Sequence, residues 1–158
     1  MIIFNDKSLI IRLAKNSDLK EIKNIDESLK ITINKNEQTQ KYNSLKKAIK
    51  NKSLIISSTK STIIGYLWYE YLWGYIPFIS LIRIHKSYHR KGIGEKMIKF
   101  LERKMKKMNV ERILSSTEVE NKVAIKFHQN LGLKECGYFD LSQWEPNREL
   151  FFEKLLTD

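Results

Sequence analysis

Apolar residues along the chain switch between two kinds of spacing, and the switches predict where strands and helices lie. Short apolar runs bounded by polar turns are typical of β-strands, and they occur at residues 9–13, 53–57, 62–69, 76–84, 111–116, 133–138 and 150–155. Recurrence every three or four residues is typical of amphipathic helices, and it occurs at residues 19–29, 35–50, 93–108 and 121–130. The resulting order, β-α-α-β-β-β-α-β-α-β-β, predicts a mixed α/β sheet with helices packed on it.

Two local signals refine this prediction. The three strands between residues 53 and 84 follow one another with only short polar turns, which predicts an antiparallel meander. At the start of the first helix, Asp18 is followed three residues later by Glu21, which is the spacing of a capping box.

Length and composition limit the kind of protein this is. The chain has 158 residues, no internal repeat and no Pro/Gly-rich linker, so we predict one domain over residues 1–158. No apolar run approaches the ~18 residues of a membrane span, and we predict no membrane partner. The start lacks the pattern of a secretion signal. Cys136, the one cysteine, lies in an apolar strand, so we expect it to be buried and the chain to work in a reducing, cytoplasmic setting.

The net charge of +11 has two interpretations. A nucleic acid or another polyanion is one partner that such a charge attracts. The excess is mostly lysine scattered along the chain, which favours a solvated basic surface that serves, in part, an anionic cofactor. Nucleic acid is therefore the less favoured alternative. His85, His89 and His128 lack the i, i+4 spacing of helical metal ligands, and we predict no metal.

The segment from residue 82 to residue 94 has the pattern of an anion site. A strand ends, a basic loop follows, and Gly92 and Gly94 open a long helix. The first N–H groups of a helix lack partners within it and carry partial positive charge, and glycines let a phosphate approach them. A dinucleotide fingerprint would need a third glycine where Met97 stands, and the Gly-Lys-Ser/Thr of a P-loop is also absent.

This segment resembles the signature of the GNAT superfamily of acyl-CoA N-acyltransferases, Gln/Arg-x-x-Gly-x-Gly/Ala. It reads here His89-Arg90-Lys91-Gly92-Ile93-Gly94. A second family pattern, Asn-x-x-Ala-x-x-x-Tyr-x-x-x-Gly-Phe, is matched by Asn121, Ala124, His128, Gly132 and Leu133. The opening Ile11-Arg12-x-Ala14-x-x-x-Asp18-x-x-x-Ile22 is also similar to the family's first strand and helix.

The resemblance implies a GNAT fold, a mostly antiparallel central sheet with helices on both faces, and acetyl-CoA as cosubstrate. It implies that the pyrophosphate binds the loop at 89–94 and that the backbone of residues 82–84 pairs with the pantetheine amides. Asn121 would bind pantetheine or orient the site. The residues that it places at the cofactor are Ile82, Arg83, Ile84, His89, Arg90, Lys91, Gly92, Ile93, Gly94, Asn121, Ala124, Phe127 and His128.

The family's mechanism is direct attack of a neutral amine on the thioester in a ternary complex. The resemblance places the oxyanion donor at a bulge in the strand before the loop, around Ile84. His128 occupies the slot of the tyrosine that acts as general acid, and a neutral imidazole keeps one N–H for that role. The alternative for His128 is a polar residue without catalytic duty. Glu118 and Glu70 are the candidate bases, although a solvated carboxylate is the simpler interpretation of each.

Three functions are therefore compared. The favoured one is an acetyl-CoA-dependent N-acetyltransferase acting on an amine of a small molecule or a protein, with a homodimer as one assembly state. The second is a catalytically weak acyl-CoA-binding module, and the third is a basic nucleic-acid-binding domain. The aromatic residues between Tyr66 and Phe78 predict sheet packing and a pocket wall in preference to base stacking.

Overall fold

The computed structural model describes residues 4–6, 9–28, 34–60, 62–140 and 148–156. The predicted helices and strands follow one another in the predicted order. The strands are β1 (Phe4–Asp6), β2 (Leu9–Leu13), β3 (Leu54–Thr59), β4 (Thr62–Leu72), β5 (Ile76–Ile84), β6 (Arg112–Glu118), β7 (Lys134–Asp140) and β8 (Arg148–Leu155). The helices are α1 (Leu19–Ser28), α2 (Lys35–Lys50), α3 (Ile93–Lys106) and α4 (Lys122–Asn130), with short 3₁₀ turns at Asn16–Asp18 and Lys86–Tyr88.

The strands form one sheet in the order β1-β2-β3-β4-β5-β6-β8-β7. All neighbours are antiparallel except β5 and β6. This confirms the predicted meander and the mixed, mostly antiparallel sheet. The short strand β1 adds to the predicted set, and Leu29, the last residue of the first predicted helix, lies outside the described residues.

Helices cover the sheet on both faces, and each face has its own apolar core. On one face, α1 and α2 pack against β3 and β4. Ile22 of α1, Leu45 of α2 and Tyr66 of β4 are buried in this core. On the other face, α3 does so through Met97 and Leu101. Burying each aliphatic side chain of this size contributes about 1.5–3 kcal/mol, so the two cores fix the position of the sheet between the helices.

Two expectations from local sequence are wrong. Cys136 is exposed, because β7 is an edge strand and its residues are exposed along its length. Asp18 and Glu21 do not form a capping box with each other. Asp18 accepts from the backbone N–H of Lys15 at 2.7 Å and pairs with the Arg12 guanidinium, and Glu21 accepts from the backbone N–H of Ile63 at 3.0 Å.

The aromatic residues of β4 and its turn divide into two groups. Tyr66 and Tyr69 are fully buried, which confirms sheet packing for these two. Trp73 and Tyr75 lie in the turn after β4 and are 78% and 67% exposed. None of these four residues lines the cleft described below.

Candidate functional site

A gap between β5 and β6 is the centre of the candidate site. These two parallel strands pair only at Phe78 with Leu114 and Ile79 with Ser115. Beyond Ile79, β5 continues to Ile84 alongside β4 without a pairing partner on its other edge among the described residues. The sheet therefore opens between two neighbouring strands, and the edge of β5 presents unpaired backbone groups to the opening.

The register of β4 and β5 shows which backbone groups face this gap. His85 donates its N–H to Ile64 at 2.8 Å, and Ile84 pairs with Gly65 one position along. Because bonded and non-bonded pairs alternate in an antiparallel ladder, the N–H groups of Ile82 and Ile84 point away from β4. They therefore point into the gap.

The bulge expected around Ile84 lies elsewhere. Ile84 and the three residues before it pair regularly with β4. The register shifts where Trp68 pairs with Leu81 and Tyr69 pairs with Ile79, so Ser80 is the extra residue of β5. A bulge bends its strand and increases the local twist, so Ser80 lies at the point where β5 starts to diverge from β6.

The glycine loop follows β5 and opens α3. Gly92 is the N-cap of α3 with φ +69°, in the left-handed region that favours glycine, and a Cβ there would meet no atom within 4 Å. The first N–H groups of α3 are consequently accessible from the cleft. His89 closes the loop on the strand, because its Nε2 donates to the carbonyl oxygen of Ile84 at 2.8 Å.

Gly94 has a different reason to be glycine. A Cβ on this residue would lie 3.0 Å from Cζ and 3.2 Å from Cε2 of Phe127. Gly94 thus lets α3 approach α4 closely, and Phe127 and Ile82 fill the space beside it. Besides the predicted room for phosphate, this glycine therefore leaves room for Phe127.

Gap and loop join in one cleft of about 660 Å³. Its walls include most residues that the sequence placed at the cofactor: Ile82, Arg83, Ile84, His89, Arg90, Gly92, Ile93, Gly94, Asn121, Ala124 and Phe127. The side-chain amide oxygen of Asn121 accepts from the N–H of Ala124 at 3.0 Å, so Asn121 caps α4 at the cleft wall. Lys91 stands at the rim, where its ammonium lies 4.8 Å from the ring of Tyr88, which does line the cleft.

His128 lies beneath the cleft and is not among its lining residues. Its side chain is buried, stacks on Phe152 and uses both ring nitrogens within the protein. Nδ1 lies 2.6 Å from the carbonyl oxygen of Ala124 and must donate to it. Burial lowers the pKa of His128, although the bond to Ala124 opposes this, so the ring is neutral and Nε2 accepts from the Ser115 hydroxyl at 2.8 Å.

Beside the gap, the face of the sheet that points away from α4 carries carboxylates. Ser115 points towards α4, so the alternation of side chains places Ser116 and Glu118 on the other face. Glu149 of β8 pairs with Glu118, shares that face, and accepts from the Ser116 hydroxyl at 2.6 Å. Glu149 is not among the residues predicted from sequence, because only strand pairing brings it beside Glu118. Glu70 is apart from this group on β4, where it accepts from Ser80 at 3.0 Å.

A second groove, of about 420 Å³, lies between α1 and α2 and is lined by residues of both helices, among them Asp26 and Tyr42. It contains none of the residues that the sequence assigned to the site. Within the described ranges, no three His, Cys, Asp or Glu side chains are placed to hold a metal ion. None of the described helices is both long and apolar enough to cross a membrane.

Comparison with protein families and curated proteins gives a consistent result. Residues 19–133 match the model of the acetyltransferase (GNAT) family. A stretch of 55 residues is 33% identical to N-alpha-acetyltransferase 30 of Xenopus laevis. That match covers 35% of this chain and 20% of the Xenopus protein, so the chain spans only a fifth of the relative that it matches.

Solved structures share the fold. An acetyltransferase of the GNAT family from Bacillus cereus superposes with a TM-score of 0.78 at 20% identity, covering 95% of this chain and 99% of that one. The yncA protein of Salmonella typhimurium, solved with its cofactor acetyl-CoA, superposes with a TM-score of 0.68 at 17% identity, covering 96% of each chain.

Proposed function

This chain belongs to the acetyltransferase (GNAT) family, and we propose that it transfers the acetyl group of acetyl-CoA to an amine of a small molecule or a protein. The observation that carries this proposal is the gap between β5 and β6, which runs directly into the glycine loop at the start of α3. The similar yncA structure holds acetyl-CoA, which supports the choice of cosubstrate. The single cysteine fits a reducing compartment such as the cytoplasm.

Several groups of the cleft suit this cosubstrate. Acetyl-CoA, when bound, supplies an activated thioester carbonyl. The N–H groups at the start of α3 form a site for the pyrophosphate, and Arg90 and Lys91 add positive charge at the rim. The N–H groups of Ile82 and Ile84 both face the gap, and that of Ile82 would pair with a pantetheine amide as a further strand does.

Direct attack requires a donor for the carbonyl oxygen, which gains negative charge as the amine adds. We assign this role to a backbone N–H of β5 in the gap, that of Ile84. Such a group is fixed by the sheet before the reaction starts, so it stabilises the charge without reorganising. On the face of the sheet that carries α3 and α4, Phe127 packs beside Gly94 and His128 is buried, so we place the approach of the amine on the opposite face.

Proton transfer needs a base for the incoming ammonium. Glu118 and Glu149 lie on the face from which the amine approaches, and Glu118 is exposed. His128 remains the predicted acid for the departing thiolate. To act, its ring would have to give up the bond to Ala124, because the one N–H of the neutral ring is on Nδ1 and Nε2 only accepts from Ser115.

The engagement of both nitrogens of His128 also favours a second candidate, a protein that binds acyl-CoA but transfers slowly. Two measurements separate the candidates: binding of CoA by isothermal titration calorimetry, and release of free thiol from acetyl-CoA with a panel of amines. Binding with amine-dependent thiol release supports the transferase, and binding without it supports the module. Retention on duplex DNA that falls with salt, in the absence of CoA binding, would support the nucleic-acid alternative.

Gly92→Val tests the location of the cosubstrate, and Gly74→Val is its matched control. Both glycines have a positive φ, +69° and +83°, and neither has an atom within 4 Å of its Cβ position. The two substitutions therefore impose similar backbone strain, but only Gly92 lines the cleft. We expect CoA affinity to fall strongly in Gly92→Val alone. Equal affinity in the two variants would contradict this placement.

A further inference from the structure

Arg83 lies where the cleft meets the face from which the amine approaches. On β5 its side chain shares a face with Tyr66, because the two residues are directly paired, and this is the face covered by α1. Arg83 also lines the cleft. The side chains of Ile82 and Ile84 point to the opposite face, towards α3.

The guanidinium of Arg83 lacks a counter-ion among the described residues. Its Nε is buried and has no hydrogen-bond partner there, and Arg83 forms no ion pair with a described carboxylate. The neighbouring Asp26 is already paired with Lys41 and accepts from the Tyr66 hydroxyl at 2.8 Å. Burial and then Asp26 raise the pKa of Tyr66 far above its ordinary value, against the opposing effect of the nearby Arg83 guanidinium. Tyr66 is therefore neutral, and it offers Arg83 a hydroxyl oxygen but no negative charge.

A partly buried cation without a counter-ion is costly, because burial weakens its hydration and a neutral hydroxyl replaces only part of it. The most direct compensation is an anionic group that arrives with a ligand. The phosphates of CoA are bound at the loop of residues 89–94 under the proposed function, and pantetheine carries no charge. The carbonyl oxygen that gains charge in the reaction is assigned to a backbone N–H of β5, so the acceptor is the source of an anion that still lacks a partner.

On the same face of the sheet, the side chains across the gap from Arg83 are negatively charged. Glu118 and Glu149 lie on the far side of the gap from Arg83, and Glu149 is held by Ser116. An ammonium near these carboxylates and an anionic group near Arg83 would complement the charges on the two sides of the gap. Such an arrangement also aligns the amine across the gap, where the thioester is expected.

We propose that Arg83 binds a carboxylate of the acceptor, so that the substrate class is an amine that carries a carboxylate. This inference rests on the proposed function. A guanidinium binds a carboxylate through two parallel N–H···O bonds, and an amide in the same place cannot reproduce the charge. The carboxylate can belong to a free amino acid or to an acidic side chain next to the N-terminus of a peptide.

The test uses acceptor pairs that differ only in carboxylate or amide. Glycine with glycinamide and glutamate with glutamine represent small molecules, and two short peptides with Asp or Asn after the first residue represent protein N-termini. Acetyl transfer is followed as free thiol, and binding of each acceptor to the CoA-saturated protein is measured by calorimetry. Arg83→Gln is compared with wild type, with Arg83→Lys, and with Arg112→Gln, which removes an exposed, paired arginine on β6.

In at least one pair we expect wild type to prefer the carboxylate by about 10-fold to 100-fold in kcat/KM or Kd, the range of a charged hydrogen bond. Arg83→Gln should bring that ratio close to one and leave the Kd of CoA unchanged. Arg83→Lys should keep part of the preference, and Arg112→Gln all of it. The pair that responds identifies the source of the carboxylate.

Two results would overturn the inference and leave the proposed function intact: equal use of carboxylate and amide acceptors by wild type, or a preference that survives in Arg83→Gln. A Kd for CoA that weakens in Arg83→Gln as much as kcat/KM falls would also overturn it, by assigning Arg83 to the cosubstrate. Absence of CoA binding in wild type would instead refute the proposed function.

Discussion

The Nε2 atom of His128 lies 2.8 Å from the hydroxyl oxygen of Ser115, and this bond joins helix α4 to strand β6 beneath the cleft. The second ring nitrogen is bonded to the carbonyl oxygen of Ala124 one helical turn earlier. The residue in the family's acid position therefore has a structural task in this protein. Whether it also donates a proton is open to a direct kinetic test.

His128→Phe separates the two roles. The change leaves the Ser115 hydroxyl and the Ala124 carbonyl without the ring as a partner, so we expect the free energy of unfolding to fall by about 1–3 kcal/mol. If His128 is the acid, kcat falls about 10²-fold or more while the Kd of acetyl-CoA changes little. Denaturant unfolding and steady-state kinetics are measured for His128→Phe, for His128→Tyr and for Ser115→Ala, which removes one partner and keeps the ring. Unchanged kcat in the Phe variant would leave only the structural role.

Stability should depend on pH through the same residue. Burial lowers the pKa of His128 in the folded protein from its ordinary 6.5, so the unfolded chain binds more protons once the pH falls below that value. The free energy of unfolding contributed by the neutral ring is complete above pH 6.5 and is lost as the pH falls through the folded pKa. Urea unfolding at about pH 7.5 and about pH 5.5 should show a larger decrease for wild type than for His128→Gln. An equal decrease in both proteins would mean that other groups cause the dependence.

Gly94→Ala should destabilise the fold through Phe127. The added Cβ would lie 3.0 Å from the Phe127 ring, and overpacking of this kind costs about 1–3 kcal/mol. Phe127→Leu shortens the opposing side chain, so the double variant should recover part of the loss, and equilibrium unfolding of the two single variants and the double variant measures this coupling. Strictly additive losses would contradict the contact as the cause.

Substituting Glu118, Glu149 and Glu70 one at a time tests which of them acts as the general base. Glu118 and Glu149 share the sheet face on which the proposed function places the amine, whereas Glu70 lies apart on β4. We expect Glu118→Gln or Glu149→Gln to lower kcat/KM by about 10²-fold or more and to remove one ionisation from its pH profile. Glu70→Gln should match wild type and serves as the control. A loss confined to Glu70→Gln would place the base on β4.

The sequence by itself determined the order of helices and strands and the place of the glycine loop. Both are local properties: apolar spacing reports which face of an element is buried, and Gly92 precedes an amphipathic helix whatever packs against it. The motifs around His89 and Asn121 added the family, because they stand at the family's spacing. Strand boundaries differed by a few residues, and only the short edge strand β1 was not foreseen.

The tertiary structure decided everything that depends on which strands are neighbours. The gap exists because β5 and β6 pair at two positions only, and the bulge at Ser80 exists because of the register with β4. Glu149 lies beside the candidate site because it pairs with Glu118, although the two residues are distant in sequence. Arg83 became a candidate anchor only once its neighbours proved to be neutral or already paired. Contacts of this kind join residues distant in sequence, and hydrophobic periodicity contains no information about which polar groups meet.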